Sequence, residues 1–342
     1  MTTTTASPAA PPAPPFMDLL KTLAAPWISQ SIYVLAKLDI PERLADGPRD
    51  VAELAADSGA HADALQRFLR AGAMAGVVTE VAAGRFALTP TGDFLRGDVP
   101  GSQKWSAIMF GEETFRSWAD VLHTARTGRP AFEEVYGRSY FDHIAEDPEA
   151  KRVFNAAMRT SAAAPLAATY DFAGVRRVVD VGGGQGALLG SILRAHPQLH
   201  GMLVDLSDVV SGAAEHLGDV ADRCEIVPGS FFDDDVIPRG ADLLILSRVL
   251  HDWDDDKALA ILRNVRAAMD AGARLLVLER LIPPGDDFHF GKLFDLVMLV
   301  VLGGRDRTRD EYHALLQRAE LRVGRTLGLP GGMGAIESVR SD

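Results

Sequence analysis

An acid, a glycine-rich turn and a histidine are the residues of this sequence whose types and spacing could do chemistry. The acid and the turn lie together in Val179-Asp180-Val181-Gly182-Gly183-Gly184-Gln185-Gly186. A β-branched run that ends in glycines reads as strand and tight loop, and Ala187-Leu188-Leu189 with residues 191–193 continues as a helix whose first N–H groups point into the loop. That is a cofactor cradle. A nicotinamide dinucleotide satisfies it formally, because Gly182, Gly184 and Ala187 give G-x-G-x-x-A and Asp205 ends the next strand where a ribose-binding acid stands. Asp180, however, puts a negative charge at the entrance, where a pyrophosphate would be repelled. S-adenosylmethionine carries an ammonium and a sulfonium and no phosphate, so the acid attracts it directly or through water. The residues favour that methyl donor over NAD, with a purely structural glycine turn as the third reading.

The histidine stands in Ser247-Arg248-Val249-Leu250-His251-Asp252-Trp253-Asp254-Asp255-Asp256. At the mouth of a cofactor cleft it can take a proton near neutral pH, and a carboxylate beside it raises its basicity and fixes its tautomer. Glu279, at the end of the following strand, is the candidate orienter. Against this, a histidine at a strand-helix junction is often a cap or a solvated loop residue, and Asp252 with the three acids after it reads equally as the first turn of a helix. Methyl transfer to oxygen is an in-line displacement that needs alignment and proton removal. A phenol, with a pKa of about 10, is a poor nucleophile at neutral pH until a base takes its proton. A catechol-type magnesium site would need a convergent Asp/Asp/Asn set, which the sequence does not offer, so no metal is expected.

These residues must be held by a parallel sheet. Strands read over 178–181, 202–205, 224–228, 242–247 and 274–279, alternating with helical stretches, which predicts an α/β, Rossmann-like sheet with helices on both faces. In such sheets ligands sit at the carboxyl ends of the strands. Those ends carry Asp180, Asp205, Gly229-Ser230-Phe231-Phe232, Ser247-Arg248 and Glu279. Upstream, residues 16–38 read as two helices meeting at Pro26. Asp50-Val51-Ala52-Glu53 is a capping box that opens a short helix. A second helix over 62–75 and a hairpin over 77–88 complete a winged-helix pattern. Its second helix offers only Arg67 and Arg70, so packing or dimerisation outranks DNA binding. Residues 102–170 are helical and rich in aromatic and methionine side chains, a stripe that is core or the wall of an apolar substrate pocket.

The 342 residues carry a net charge of −12, which argues against a nucleic-acid surface. Hydrophobic residues make up 47% and charged residues 24%, ordinary for a globular protein. Cys224 is the single cysteine and excludes an intrachain disulfide; it reads as a buried small hydrophobe. Residues 1–15 have neither a basic n-region nor an apolar h-region and read as a disordered tail, and the run over 296–302 is too short to span a bilayer. A cytoplasmic protein is expected. The boundaries expected are a tail over 1–15, a winged-helix-like dimerisation domain over 16–100, a helical pocket segment over 101–170 and a cofactor-binding domain over 171–342.

The set of motifs resembles the class I S-adenosylmethionine-dependent O-methyltransferases of small molecules, the group of caffeate, hydroxyindole and bacterial antibiotic-pathway enzymes. The resemblance covers nearly the whole chain. It rests on residues 179–186, Val204-Asp205-Leu206, Gly229-Ser230-Phe231-Phe232-Asp233, Leu250-His251-Asp252-Trp253, Glu279, Phe294-Asp295-Leu296-Val297-Met298-Leu299 and Gly303-Gly304-Arg305-Asp306-Arg307-Thr308. It implies His251 as general base, flanked by Glu279, with Asp252 and Asp306 nearby. It implies Asp205 and Leu206 at the ribose, Gly229, Ser230, Phe231 and Phe232 beside the adenine, and Ser247 and Arg248 near the methionyl part. Ser230 stands where many relatives have an acid, and Asp306 where relatives commonly have Glu. Trp105, Met109, Phe110, Phe154, Met158, Phe294, Asp295 and Met298 would line the pocket of a flat aromatic substrate, a phenolic polyketide either free or carrier-bound. Arg305 and Arg307 read as solvated surface arginines rather than partners of a substrate carboxylate. A homodimer built on the N-terminal domain, without nucleic acid or membrane, completes the expectation. The competing readings are a winged-helix regulator that senses a metabolite and an NAD-dependent oxidoreductase.

Overall fold

The strand Arg177–Val181 (β4) sits at the centre of a mixed sheet, and its alternation shows why. Val179 and Val181 face one buried layer and Val178 the other, so the pleat's period of two sends Asp180 to the same side as Val178. The structure, a computed structural model, describes residues 14–160 and 164–341, so residues 1–13 of the tail expected over 1–15 lie outside the described residues, and Pro15 already opens a helix. The chain divides into two compact units, Met1–Gly111 and Glu112–Asp342.

In the first unit Pro15–Lys37 is one helix, not the two expected, with Pro26 inside it. A proline removes one N–H and crowds the carbonyl four residues back. Here Pro26 and Thr22 are both exposed, so water can serve that carbonyl and the long flanks carry the helix across. The Asp50 amide donates to Glu53 Oε2 at 3.4 Å and opens the helix Val51–Ser58 as the capping box requires. The helix Ala62–Met74 follows, then the antiparallel strands Val78–Ala82 (β2) and Arg85–Leu88 (β3). A two-residue strand, Arg49–Asp50 (β1), pairs with β3 and escaped the sequence reading because it is too short for any periodicity. Leu35, Ile40, Leu54, Leu65, Leu69 and Phe86 close this unit's core.

The second unit begins with short helices, and Phe132, Tyr136, Tyr140, Phe141 and Phe154 pack there against Val300 and Val301. For these rings the core reading of the aromatic stripe holds. The sheet then runs in the order β10-β11-β8-β7-β4-β5-β6. Strands β4, His200–Asp205 (β5), Cys224–Pro228 (β6), Leu243–Ser247 (β7) and Arg274–Ile282 (β8) pair in parallel, as expected. Arg307–Thr308 (β9) adds a short parallel pair to the end of β8. The sheet is not wholly parallel, however. Leu321–Gly328 (β10) and Met333–Arg340 (β11) form an antiparallel hairpin, because so short a connection cannot return a parallel strand, and its second strand β11 pairs with β8 in antiparallel sense. The helices Asp255–Ala268 and Arg309–Arg318 cover one face, and Ala187–Ala195 the other. Cys224 is half-buried on the edge strand β6, more exposed than expected. Among the described residues no helix is long and apolar enough to cross a membrane.

Candidate active site

The carboxyl ends of β4, β5, β7 and β8 converge on two adjoining clusters, and the first is the glycine turn. Gly182 donates its N–H to the Val204 carbonyl at 2.8 Å, and Gly184 donates to Asp205 Oδ2 at 2.8 Å. Gly184 holds φ +61, and a Cβ there would meet nothing within 4 Å: bare backbone faces open space. Beneath it Asp180 is wholly buried, and its oxygens meet no donor at full hydrogen-bond geometry. Burial, then the Asp205 charge, pushes its carboxyl up to about 7, which the Leu189 amide and the Arg248 charge only partly offset. A buried acid under a glycine cradle of bare backbone fits a cationic ligand without phosphate, and S-adenosylmethionine has that character.

Around this cradle the expected cofactor residues separate into free and engaged groups. Burial raises the Asp205 carboxyl, though its oxygens accept from the N–H groups of Gly184 and Leu206. Each oxygen keeps a second lone pair for a hydroxyl. Ser230 Oγ accepts from the Phe232 N–H at 3.2 Å, a local turn bond, and Gly229 is pinned by its N–H to the Asp205 carbonyl at 2.9 Å. Phe231, Phe232 and Trp253 form one edge-to-face aromatic cluster. Ser247 ends β7, half-buried, and the next residue is strained: Arg248 has φ +56, a conformation that costs a non-glycine residue about 1 kcal/mol or more. Its guanidinium donates to the Met158 carbonyl at 3.2 Å. Burial lowers the Arg248 pKa, with Glu279, Asp252 and Asp180 opposing, so this cation stands between the cradle and the second cluster.

The second cluster surrounds His251, which is buried rather than a solvated cap. Glu279, fully buried, accepts on Oε1 from the amides of Val249 at 3.1 Å and Leu250 at 2.9 Å, while its Oε2 lies 2.7 Å from His251 Nδ1. An acceptor-only carboxylate at Nδ1 places the proton there and leaves Nε2 as the nitrogen for chemistry. Asp252, expected near the base or as an acid of a helix's first turn, puts Oδ1 3.2 Å from Nε2. Burial alone would lower the imidazole's pKa, but the charges and hydrogen bonds of Glu279 and Asp252 outweigh it and hold it well above the ordinary histidine value. Asp306 stands 3.7 Å from Nδ1, buried, with no hydrogen-bond partner for either oxygen among the described residues. Burial pushes its carboxyl up to about 7; the His251 charge pulls it down and Glu279 pushes it up. Asp254, by contrast, caps the helix Asp255–Ala268 with Oδ1 on the Lys257 amide.

What fixes this loop was missed in the sequence. Arg307 is 1% exposed, not a surface arginine, and donates to the carbonyls of Leu250, Trp253 and Arg305 and to Asp255 Oδ1. Only a side chain with five donors in a planar fork can serve that set. Gly304 lets the strand of chain carrying it approach: a Cβ there would fall 2.1 Å from the His251 carbonyl, which accepts from the Arg305 amide at 2.9 Å. Arg305 itself is exposed, as expected.

The expected substrate residues do not share one fate. Phe294 stands edge-on to His251, ring centroids 5.9 Å apart, at the site. Phe154 belongs to the aromatic core beside Tyr140 and Phe141, and Met158 touches the Arg248 guanidinium. Met298 is buried at the start of a π-helical turn, Met298–Leu302. Asp295 lies against the backbone of Asp306, and burial raises its carboxyl. Trp105, Met109 and Phe110 belong to the first unit, where Met109 is buried and Lys104 Nζ stands 5.5 Å from the Trp105 ring. His251, Glu279 and Asp306, and separately Asp120, His123 and Glu134, offer convergent donors within 4.8 Å of one another. Neither trio is the Asp/Asp/Asn set that a catechol-type magnesium site would need. In the first trio the Glu279 and His251 atoms already bond each other and the loop amides.

Comparison with known proteins identifies the family of the chain. Residues 118–322 match the O-methyltransferase domain family, and residues 20–97 match the O-methyltransferase dimerisation domain family. The chain is 43% identical over 325 residues to a phenazine O-methyltransferase of Lysobacter antibioticus, covering 94% of this chain and 95% of the relative. It superposes on the crystal structure of LaPhzM with a TM-score of 0.90 at 42% identity, covering 96% and 100% of the two chains. An O-methyltransferase from neocarzinostatin biosynthesis, crystallised with S-adenosylmethionine and 2-hydroxy-5-methyl naphthoic acid, superposes with a TM-score of 0.80 at 34% identity, covering 93% and 96%.

Proposed function

This chain belongs to the S-adenosylmethionine-dependent O-methyltransferases, and from that premise we propose that it methylates a phenolic hydroxyl of an aromatic small molecule in antibiotic-type secondary metabolism, with His251 as the general base. The oxidoreductase and regulator readings find no support in the family match. The observation that carries the proposal is the contact of His251 Nδ1 with the fully buried Glu279, which leaves Nε2, 3.2 Å from Asp252 Oδ1, as the nitrogen for proton transfer. When bound, S-adenosylmethionine supplies a methyl group on a sulfonium, an electrophile that needs no further activation. The chain's residues do the rest. Asp180 and the bare backbone at Gly184 receive the cationic part, and Asp205 and Leu206 the ribose. Phe231, Phe232 and Trp253 provide an apolar wall for a ring. His251 Nε2 takes the phenolic proton, and Glu279 and Asp306 hold the imidazolium that forms in a water-poor pocket.

The first unit is proposed to make the protein a homodimer. Its helix Pro15–Lys37 exposes Phe16, Leu19, Leu20, Leu23 and Trp27 at helical spacing, Trp27 at 74%, an apolar stripe that a second copy would cover. Sedimentation of the intact chain checks this, and a monomer at micromolar concentration refutes it. For the catalytic assignment the test is single-turnover methylation of one accepted phenol by the wild type and by His251→Ala. The variant should be slower by roughly 10²- to 10⁴-fold, the usual contribution of a general base. A rate within a few-fold of wild type at pH 7 would mean that alignment alone drives the reaction.

A further inference from the structure

Arg280 is a cation at this site without a counter-ion. It follows Glu279 on β8, half-buried, and its Nε is buried with no hydrogen-bond partner among the described residues. No carboxylate of those residues stands within 4.0 Å of its nitrogens. Its guanidinium lies 4.5 Å from the centroid of the Phe294 ring and 5.1 Å from that of Phe290, and the two rings stack at 5.8 Å. A guanidinium over an aromatic face keeps its N–H edges free for a planar anion. Its charge acts on Asp306 and on Arg248, so it looks onto the same cluster as His251. A desolvated charge and an orphaned N–H both carry a cost that a counter-ion would relieve.

We propose that Arg280 anchors the carboxylate of the substrate, which makes the acceptor a hydroxyaryl carboxylate rather than a neutral phenol. This rests on the methyltransferase reading above. Phe294 gives the scale: its ring is 5.9 Å from the imidazole and 4.5 Å from the guanidinium carbon, so the two groups are no more than about 10 Å apart. Hydrogen bonds of about 3 Å at each end leave at most about 4 Å between hydroxyl and carboxylate, the span of one ring or of the edge of a fused pair. The ring between them has Phe294 to pack against. The carboxylate is directed to Arg280 rather than to Arg248 or Arg307, whose guanidinium groups already hold the Met158 carbonyl and the 250–255 loop. Glu279, Asp252 and Asp306 around the imidazole would repel an anion placed there, so the hydroxyl end is the one left to face the base.

The test compares 7-hydroxy-1-naphthoate with 2-naphthol, the same ring and hydroxyl without the carboxylate, as acceptors for the intact enzyme, for Arg280→Gln and for Arg280→Lys. Wild type should prefer the acid in kcat/KM by about 10- to 100-fold, the worth of a charge-assisted pair. Arg280→Gln should abolish that preference, chiefly through KM, and Arg280→Lys should restore part of it; melting curves verify that each variant is folded. Equal use of both acceptors by wild type, or a preference that survives Arg280→Gln, overturns the assignment while leaving phenol methylation standing. A variant that keeps the preference but shifts the pH profile would also overturn it, since Arg280 would then serve Asp306 through water. Failure of wild type to methylate any member of a wider phenol panel would sink the underlying reading, and this inference with it.

Discussion

Asp252→Asn is the perturbation that separates a working base from a merely positioned imidazole. In the free protein the Asp252 carboxylate lies 3.2 Å from His251 Nε2, and with Glu279 at Nδ1 it holds the proton affinity of the ring well above the ordinary value. A proton affinity so raised leaves less of the ring unprotonated at a given pH, and only the unprotonated ring can accept from a phenol. The rising limb of kcat/KM of the wild type should therefore lie at higher pH than an ordinary histidine would place it. Two unit charges 3.2 Å apart interact by about 1.3 kcal/mol at the dielectric of water and about 5 kcal/mol at an effective dielectric of 20. The Asp252 side chain is 22% exposed, so the low end is the safer figure. At about 1.4 kcal/mol per tenfold, removing the charge weakens proton binding by at least about tenfold. Asn keeps the shape and a hydrogen-bonding group, so the rising limb of log kcat/KM should move to lower pH and the rate at pH 7 should increase, up to about tenfold. Because kcat/KM reports the free enzyme, the profile can be read against this structure. A limb that stays in place, or moves to higher pH, would refute the reasoning.

Two further outcomes follow from the same geometry. Asp180 is raised from 3.8 to about 7 by burial, so across that window the folded protein keeps a proton that the unfolded chain releases, and stability falls as pH rises. Asp180→Asn should flatten that part of the pH dependence, by up to about 1.4 kcal/mol per pH unit, and should weaken S-adenosylhomocysteine; melting at pH 5 and 7.5 and calorimetry read the two effects. Arg307→Ala strands buried carbonyls of Leu250 and Trp253 and should cost about 3 kcal/mol or more in urea unfolding. Arg307→Lys, which keeps the charge but loses the fork, should lower kcat more than it raises KM.

What the sequence disclosed and what it hid divide along one physical line. The strands of the sheet were legible because burial on both faces makes them continuous apolar runs, and residues such as Leu244, Ile245 and Leu246 can have no other use. Asp180 and the glycines were legible because an acid inside such a run, or a glycine at every second position, contradicts local preference and so reports a ligand. His251 and Glu279 were reachable by topology, since one follows β7, the other lies on β8, and these two strands pair in parallel. The hairpin β10 and β11 was lost because β10 holds Arg322, Gly324, Arg325 and Gly328, which read as loop without the partner β11.

Arginine was the residue type whose meaning the sequence could not settle. Arg305 and Arg307 stand two positions apart, carry the same charge, and differ in whether the next layer of chain covers them. Gly304 decides that, by letting the turn press so close to the His251 carbonyl that Arg307 is enclosed and Arg305 is left outside. Enclosure converts a solvated charge into an obligation to find partners. Arg307 meets it with three carbonyls and Asp255, and Arg248 meets it in part with Met158. Arg280, half-enclosed on β8, meets it among the described residues with nothing but two aromatic rings. Buried arginines in this protein are therefore to be sorted by their unmet hydrogen bonds, and on that criterion Arg280 is the cation held ready for a ligand.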